Sequence, residues 1–154
     1  MTKRIQLSAA LPDAYRAIRD LHTVVEKAAA NAGLDQRLIE LVKIRASMLN
    51  GCAFCLDMHS QDARKLGESE RRIVMVSAWR ETDLYTEQER AALALTEAIT
   101  RLSEHQDVPD DVYEQATSVF TEEQYVAVAW AAAVINTFNR VGVTSRKALP
   151  AEPK

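Results

Sequence analysis

Residues 40–68 read ELVKIRASMLNGCAFCLDMHSQDARKLGE, and they contain two helical patterns separated by Asn50-Gly51. An Asn-Gly pair is a turn signal, so we expect the second helix to fold back on the first. The upstream helix begins at Asp35, a good N-cap residue. The downstream helix is predicted from Cys52 to about Leu66, with Gly67 at the position of a helix terminator. This stretch predicts an antiparallel helix pair as the centre of the fold.

The same helical patterning extends in both directions, and no segment shows sustained strand alternation. We predict seven helices in an all-α bundle that forms a single domain over residues 1–154. The other five are expected at about Pro12–Asn31, Ser69–Arg80, Thr86–Ser103, a short helix after Pro109, and Glu122 to about Arg140. Capping-box patterns at Thr86–Glu89 and Thr121–Gln124 predict the starts of two of them.

Composition excludes several classes of function. A net charge of −3 with scattered basic residues predicts no nucleic-acid partner. The longest apolar run, Tyr125–Ile135, is too short to span a bilayer, which needs about 20 residues, so we expect no membrane partner. The N-terminus has no signal-peptide pattern, so a cytoplasmic location is expected. Because the last helix is apolar nearly all round, it is either a central core helix or part of a subunit interface.

Chemistry is concentrated at Cys52, Cys55 and His59. At about 100° per residue they share one helix face about 100° wide, together with Leu56, Ala63 and Leu66, and we expect that face to pack inward. Cysteines at i and i+3 lie about 5–6 Å apart, within the range that a disulfide tolerates. The helix N-terminus favours thiolate, and His59 lies one turn after Cys55. The spacing therefore predicts a redox pair with an adjacent proton acceptor.

Glu40 is the expected partner of that histidine. It lies ten residues before Asn50, about 15 Å back along a helix that rises 1.5 Å per residue. A turn at Asn50-Gly51 then brings Glu40 level with His59. The order Glu40, His59, Cys55 would let the carboxylate orient the imidazole and the imidazole serve the thiol.

Two other interpretations of these residues stay open. The two cysteines and the histidine could be ordinary core residues, because free cysteine is often buried. Alternatively Cys52, Cys55, His59 and Glu40 could bind structural zinc, although zinc usually takes its Cys-x-x-Cys from a knuckle. Arg45 lies on the apolar side of its helix, where it either pairs with a carboxylate or faces another subunit.

The remaining histidines and the tryptophans are not part of a pattern of catalytic residues in the sequence. We interpret His22 and His105 as surface or structural residues. Trp79 and Trp130 are interpreted as core or interface residues.

The stretch 40–68 resembles the core signature of the alkyl hydroperoxidase D-like (AhpD-like) branch of the carboxymuconolactone decarboxylase superfamily. That signature is a Glu, a Cys twelve residues later, and Cys-x-x-Cys-x-x-x-His followed by a short helix that ends in Gly. Glu40, Cys52, Cys55 and His59 match it at every step. The segments AWRETDLYTEQERAALALTEAIT (78–100) and INTFNR (135–140) also match, so the resemblance covers about residues 11–141.

The resemblance implies an all-helical fold that assembles into trimers or hexamers and reduces peroxides or exchanges disulfides without metal, flavin or another cofactor. It implies that Glu40 and His59 relay protons to Cys55, which attacks peroxide, and that Cys52 resolves the product. Lactone decarboxylation is not implied, because the decarboxylase branch lacks the cysteine pair. AhpD proteins themselves often carry a His between the cysteines and a longer N-terminal half. This chain has Ala53-Phe54 there, so the resemblance names no particular substrate.

The leading hypothesis is a thiol-dependent peroxidase in which a Cys52/Cys55 dithiol reduces an alkyl hydroperoxide and an external dithiol or thiol protein resets the disulfide. One alternative is disulfide exchange with a protein or small thiol, with incidental peroxidase activity. Another is a non-enzymatic oligomeric sensor or scaffold stabilised by the disulfide or a metal. Position alone leaves open which cysteine attacks first, since Cys52 is nearer the helix N-terminus and Cys55 is nearer His59.

Overall fold

A computed structural model describes residues 2–150, which form nine α-helices and one 3₁₀ helix with no strand among them. In chain order they are α1 (Leu7–Ala10), α2 (Pro12–Asn31), α3 (Gln36–Asn50), α4 (Ala53–Lys65), α5 (Glu70–Met75), the 3₁₀ helix (Val76–Glu81), α6 (Glu87–Thr100), α7 (Leu102–His105), α8 (Asp110–Val119) and α9 (Glu122–Ser145). The predicted all-α class is confirmed.

Local capping chemistry places most helix starts where the sequence predicts them. The Asp35 carboxylate accepts the Arg37 N–H at the start of α3, and full capping boxes open α6 at Thr86 and α9 at Thr121. Gly51 ends α3 in the left-handed region, at φ 64°, which glycine adopts without strain. The chain therefore reverses between α3 and α4 as expected.

Several predicted boundaries are wrong. The helix predicted over Ser69–Arg80 is a short α-helix and a 3₁₀ helix, interrupted at Ala78 by a non-helical backbone. The last helix runs to Ser145, five residues beyond the predicted Arg140. Its extra turn is stabilised by the N-terminal segment, because Gln6 Nε2 donates to the Ser145 carbonyl at 2.8 Å. The one-turn helices α1 and α7 were not predicted.

The long helix α9 is the centre of the packing, since it contacts α2, α3, α4, α6 and α8. Its inner side is buried through small and branched residues such as Val128, Ala132 and Val134. By length and composition α9 could cross a membrane, but half of its most apolar window is buried inside the chain, as in the core helix of a soluble fold. Its outer side leaves Trp130 51% exposed. The helix is thus a core helix with one uncovered face.

Arg45 pairs within the chain. Its guanidinium lies 2.7 Å from a Glu97 carboxylate oxygen. The same carboxylate accepts the Trp79 indole N–H at 2.8 Å and pairs with Arg80. This cluster connects α3 to α6 and the 3₁₀ helix. Of the two alternatives for Arg45, the structure shows the pairing with a carboxylate.

Candidate active site

The two thiols lie at the N-terminal end of α4. Cys52 and Cys55 are unbonded and buried, with 2% and 4% of their surfaces exposed. Cys55 is in the first turn of the helix. Cys52 was predicted to be part of the helix, but it is the N-cap residue and has extended φ/ψ. As expected, Ala63 is buried with them, but Leu66 on the same predicted face is the C-cap and is 40% exposed.

Glu40 and His59 meet across the α3–α4 pair. The His59 Nδ1 atom lies 2.8 Å from Glu40 Oε2, and both side chains are buried. An ionised carboxylate only accepts hydrogen bonds, so Nδ1 carries the proton and Nε2 is left to exchange one. Because Cys55 lies one turn before His59 on α4, the imidazole is adjacent to the thiol pair.

Lys43 is a buried cation that was not among the predicted site residues. It is 4% exposed, and its Nζ lies 2.8 Å from Glu40 Oε1 and 2.7 Å from Glu26 Oε1. Burial raises the pKa of Glu40, but the hydrogen bond from His59 and the charge of Lys43 outweigh it, so the pKa is lowered overall. Lys43 thus keeps Glu40 ionised as the hydrogen-bond acceptor for His59. Its sequence signal is a lysine three residues after Glu40 on the apolar side of the helix.

His22 also lies in this region, with the contacts of a structural histidine. Its Nε2 lies 3.4 Å from Glu26 Oε1, and its ring packs edge-on against Phe138. Burial and the nearby Lys43 charge lower its pKa. His105, in contrast, is exposed on α7 as expected.

A cavity of about 550 Å³ opens onto these groups. Cys55, His59, Glu40 and Lys43 line it, and Cys52 is not among the lining residues. Most of its wall is apolar, from α4 and α9: Phe54, Met58, Ala131, Val134, Ile135, Phe138 and Val141. The volume is in the range of small-molecule sites, and the apolar wall suits an organic substrate.

Comparison with known proteins identifies the family of the chain. The model of the carboxymuconolactone decarboxylase family matches residues 12–98, more than half of the chain. The chain belongs to this family. It resembles the AhpD-like members in particular, because solved structures described as AhpD-related share its fold.

Two known proteins are similar to this chain in sequence, and a third shares its fold. The uncharacterized protein YdfG of Bacillus subtilis is 39% identical over 143 residues, covering 93% of this chain and 94% of YdfG. The structure of ATU0492 from Agrobacterium tumefaciens, a protein of unknown function described as a candidate AhpD antioxidant defence protein, is 42% identical with a TM-score of 0.89, covering 98% of this chain and 100% of that one. The debrominase Bmp8 is 19% identical with a TM-score of 0.76, covering 93% and 74%. At that identity Bmp8 shows the fold alone.

The ionisation of the two thiols is coupled. The Cys55 thiol stabilises the neighbouring Cys52 thiolate, which lowers the pKa of Cys52 to about 6, and the same interaction raises the pKa of Cys55. Asn139 of α9 is fully buried beside them and lowers the pKa of both. Its amide also bonds Ser47 and Asn50, so its position is fixed. Two asparagines, at 136 and 139 in an apolar helix, were the sequence signal for this group.

The thiol pair is expected to lose its first proton near pH 6, because the pKa of Cys52 is about 6. As the pH falls below that value the thiolate is protonated, so its ultraviolet absorbance should be lost. Cys55→Ala removes the stabilising thiol, and the pKa of Cys52 should rise toward that of an ordinary cysteine, about 8.5. Ultraviolet thiolate absorbance against pH measures both, and an unchanged pKa in Cys55→Ala would contradict the pairing.

A metal ion fits this donor set poorly. Glu40, His59 and Asp62 offer ligand atoms within 4.8 Å of one another. However, the two oxygens of Glu40 already contact His59 Nδ1 and Lys43 Nζ. A buried ammonium at bonding distance to the carboxylate opposes a second cation there. The cysteines are not part of this set, so the predicted four-residue zinc alternative gains no support.

Gly142 of α9 leaves room for the thiols. A Cβ atom at this position would lie 3.0 Å from Cys52 Sγ and 3.9 Å from Cys55 Sγ. The first distance is shorter than carbon–sulfur van der Waals contact, so a methyl group would displace the Cys52 sulfur. A glycine at this position therefore makes room for the Cys52 sulfur.

Gly142→Ala is expected to slow disulfide formation between Cys52 and Cys55 roughly tenfold, equivalent to about 1.4 kcal/mol. The stability of α9 should not fall, because alanine is favoured over glycine in a helix by about 0.5–1 kcal/mol. Loss of free thiols after addition of diamide measures the rate, with circular dichroism as the check on folding. Val143→Ala, on the exposed side of the same turn, is the matched control. Equal rates in Gly142→Ala and the control would contradict this role.

Proposed function

We propose that this protein is a thiol-dependent peroxidase that reduces organic hydroperoxides through a Cys52/Cys55 dithiol–disulfide cycle. The observation that carries the proposal is the position of Cys55 on the wall of an apolar cavity, with a second thiol against it and the Glu40–His59 pair one turn away. Each part has a use in peroxide reduction: a nucleophile, a resolving thiol and a proton carrier.

Access favours Cys55 as the attacking thiol, since Cys55 lines the cavity and Cys52 does not. In the resting pair the negative charge is on Cys52, next to the Cys55 thiol. Transfer of the Cys55 proton to His59 Nε2, with uptake of a proton from solvent by Cys52, creates the reactive Cys55 thiolate without placing two negative charges side by side. Glu40 stabilises the imidazolium that results, through its hydrogen bond to Nδ1.

The reaction then proceeds in two balanced steps. The Cys55 thiolate attacks the terminal oxygen of the hydroperoxide, an S–O bond forms, the O–O bond breaks, and the alkoxide takes the proton from His59 to leave as alcohol. The Cys52 thiol loses its proton as it attacks the sulfenic sulfur of Cys55, an S–S bond forms, the S–O bond breaks, and the leaving hydroxide takes that proton to become water. Two electrons pass from the thiol pair to the peroxide, and an external dithiol returns them by disulfide exchange.

Burial of the pair favours small molecules over protein disulfides as the oxidant. With 2% and 4% of Cys52 and Cys55 exposed, a disulfide on the surface of another protein has no direct approach to either sulfur. A small peroxide or a slender dithiol can enter through the cavity. The alternative of exchange with protein thiols would need the site to open first.

A turnover assay tests the proposal. Purified protein with dithiothreitol should consume cumene hydroperoxide well above the rate of dithiothreitol alone, in the presence of a chelator. Because the cavity wall is apolar, cumene hydroperoxide should react faster than hydrogen peroxide. Absence of turnover with organic peroxides, together with rapid reaction of the oxidised pair with protein thiols, would replace the proposal by disulfide exchange.

The cycle also bears on location. A dithiol that must be regenerated needs a reducing compartment, so we propose that the protein works in the cytoplasm.

An exposed apolar groove between α2 and α9 supports assembly into a homo-oligomer. It is formed by Leu21, Val24, Val126 and Trp130, all more than a third exposed, and we call it the Trp130 surface. A contiguous apolar patch with a half-exposed tryptophan at its centre is typical of an interface. We propose a second copy of this chain as its occupant, in the trimer or hexamer that the family resemblance implies.

Trp130→Glu should therefore shift the assembly to the 17.2 kDa monomer, because a carboxylate cannot be desolvated in an apolar interface without a partner. Analytical ultracentrifugation of wild type and variant measures this. Tyr113→Glu, at an equally exposed aromatic residue on α8 outside the Trp130 surface, is the control. A monomeric wild type would contradict the assembly.

A further inference from the structure

The mouth of the cavity carries a lysine that the peroxidase chemistry does not use. Lys147 follows α9, where Arg146 adopts a left-handed backbone at φ 47° and the Lys147 N–H donates to the Gly142 carbonyl at 3.0 Å. This reversal turns the chain back over the site, and Lys147 lines the cavity with Cys55. Its Nζ lies 3.9 Å from the ring centroid of Phe54 and 5.5 Å from that of Tyr15. The ammonium is thus held by two aromatic faces.

Arg19 adds a second positive charge on the same side. It lies one turn after Tyr15 on α2, so both side chains share a helix face, and it also lines the cavity. Among residues 2–150, no carboxylate lies within ion-pair distance of Arg19 or Lys147.

The other charged groups at the cavity have ion-pair partners. Lys65 pairs with Asp62 at 2.8 Å, and Lys43 lies between Glu26 and Glu40 deeper in the site. Within the described part of the chain, Arg19 and Lys147 are therefore the two cations of the lining without a carboxylate partner, and they lie next to an apolar wall. A cavity of this kind is complementary to a molecule with an apolar body and one acidic end.

We propose that Lys147, assisted by Arg19, binds the carboxylate of the substrate, and that the substrate class is amphipathic hydroperoxy acids of the fatty-acid type. The apolar chain would lie against Phe138 and its neighbours on α9, with the peroxide group at Cys55. This inference rests on the proposed peroxidase function and specifies its substrate. Lys147 is a specificity residue here, since it contacts the end of the substrate that does not react.

Lys147 also lowers the pKa of Cys55 through its charge, so a change in rate alone would not separate the two effects. The ratio of the oxidation rate with an acid to that with its methyl ester does separate them. A change in thiol reactivity alters the rates with an acid and with its methyl ester equally, whereas loss of a carboxylate anchor alters only the rate with the acid.

The test measures oxidation of the reduced protein by linoleic acid hydroperoxide and by its methyl ester, each below its aggregation concentration and without reductant. Wild type should prefer the acid about tenfold, the effect of one charge-assisted contact of about 1.4 kcal/mol. Lys147→Met should remove most of that preference, and Lys147→Arg should keep it. Lys27→Met changes the net charge equally at an exposed position of α2 outside the cavity, and should leave the ratio unchanged. Added salt should reduce the preference.

The outcomes separate this inference from the function on which it rests. If neither peroxide oxidises the thiols, the peroxidase function fails. If both do so at equal rates in wild type, the function stands and the anionic substrate class is overturned. An acid preference that persists in Lys147→Met overturns the assignment to Lys147.

Discussion

Serine at Cys55 is expected to abolish peroxide turnover, with kcat/KM lowered roughly 10³-fold or more, as for loss of a nucleophile in other enzymes. The hydroxyl of serine stays protonated at neutral pH, whereas the thiol pair of this protein loses a proton near pH 6. The remaining thiol, Cys52, is not among the residues that line the cavity. Steady-state consumption of cumene hydroperoxide with dithiothreitol measures the loss.

Cys52→Ser provides the informative contrast. Its Cys55 thiol can still attack peroxide, so one equivalent of alcohol should form and a sulfenic acid should accumulate at Cys55, trapped by dimedone. Without added dithiol the reaction should stop there, because no second protein thiol closes the disulfide. A dimedone adduct on Cys52 in the Cys55→Ser protein would make Cys52 the attacking thiol and Cys55 the resolving thiol. Full turnover in both variants would contradict the dithiol cycle.

His59→Asn is expected to lower kcat/KM about 10²–10³-fold, the usual contribution of a general acid–base group. An asparagine amide can still donate to Glu40 in place of Nδ1, so folding should be retained, but it cannot carry a proton between thiol and alkoxide. Glu40→Gln should cost less, about tenfold, because the imidazole stays and only its orientation and charge stabilisation weaken. Both rates are measured with cumene hydroperoxide across pH.

The control for these variants is His105→Asn, an exposed histidine on α7 far along the chain from the thiols. Its activity should equal that of wild type. If His59→Asn were as active as His105→Asn, the proton relay would have no role in the chemistry. The cysteines would then act with solvent as their proton carrier.

The geometry of Glu40 and His59 was accessible from the sequence because it depends on two local features. Helix rise fixes how far each residue lies from the Asn50-Gly51 turn, and a glycine at φ 64° makes that turn possible. Helix starts at Asp35, Thr86 and Thr121 were predictable for the same reason, since capping hydrogen bonds involve residues close in sequence.

The remaining groups of the site come from distant elements, so sequence spacing did not predict them. Glu26 of α2 meets Lys43 of α3 only because α2 packs across the pair. Lys147 reaches the cavity because α9 continues to Ser145 and then reverses, and a helix that ended at Arg140 would leave it elsewhere. Such contacts depend on which helix faces pack together, which a single sequence does not encode locally.

Cys52 shows how a small boundary error alters chemistry. Placed inside the helix, it would be one of two equivalent thiols on a face. As the N-cap residue it lies outside the regular turn, against Gly142 and the Cys55 thiol. Because of this asymmetry, the more acidic thiol is Cys52, whereas the thiol that lines the cavity is Cys55.

The most direct test of the dithiol cycle is a titration of the reduced protein with cumene hydroperoxide in the absence of oxygen and reductant. One equivalent should consume both thiols, yield one equivalent of cumyl alcohol, and leave a Cys52–Cys55 disulfide in the peptide map. Peroxide consumed while both thiols remain free, or consumed equally fast by the Cys52→Ser/Cys55→Ser double variant, would contradict the cycle.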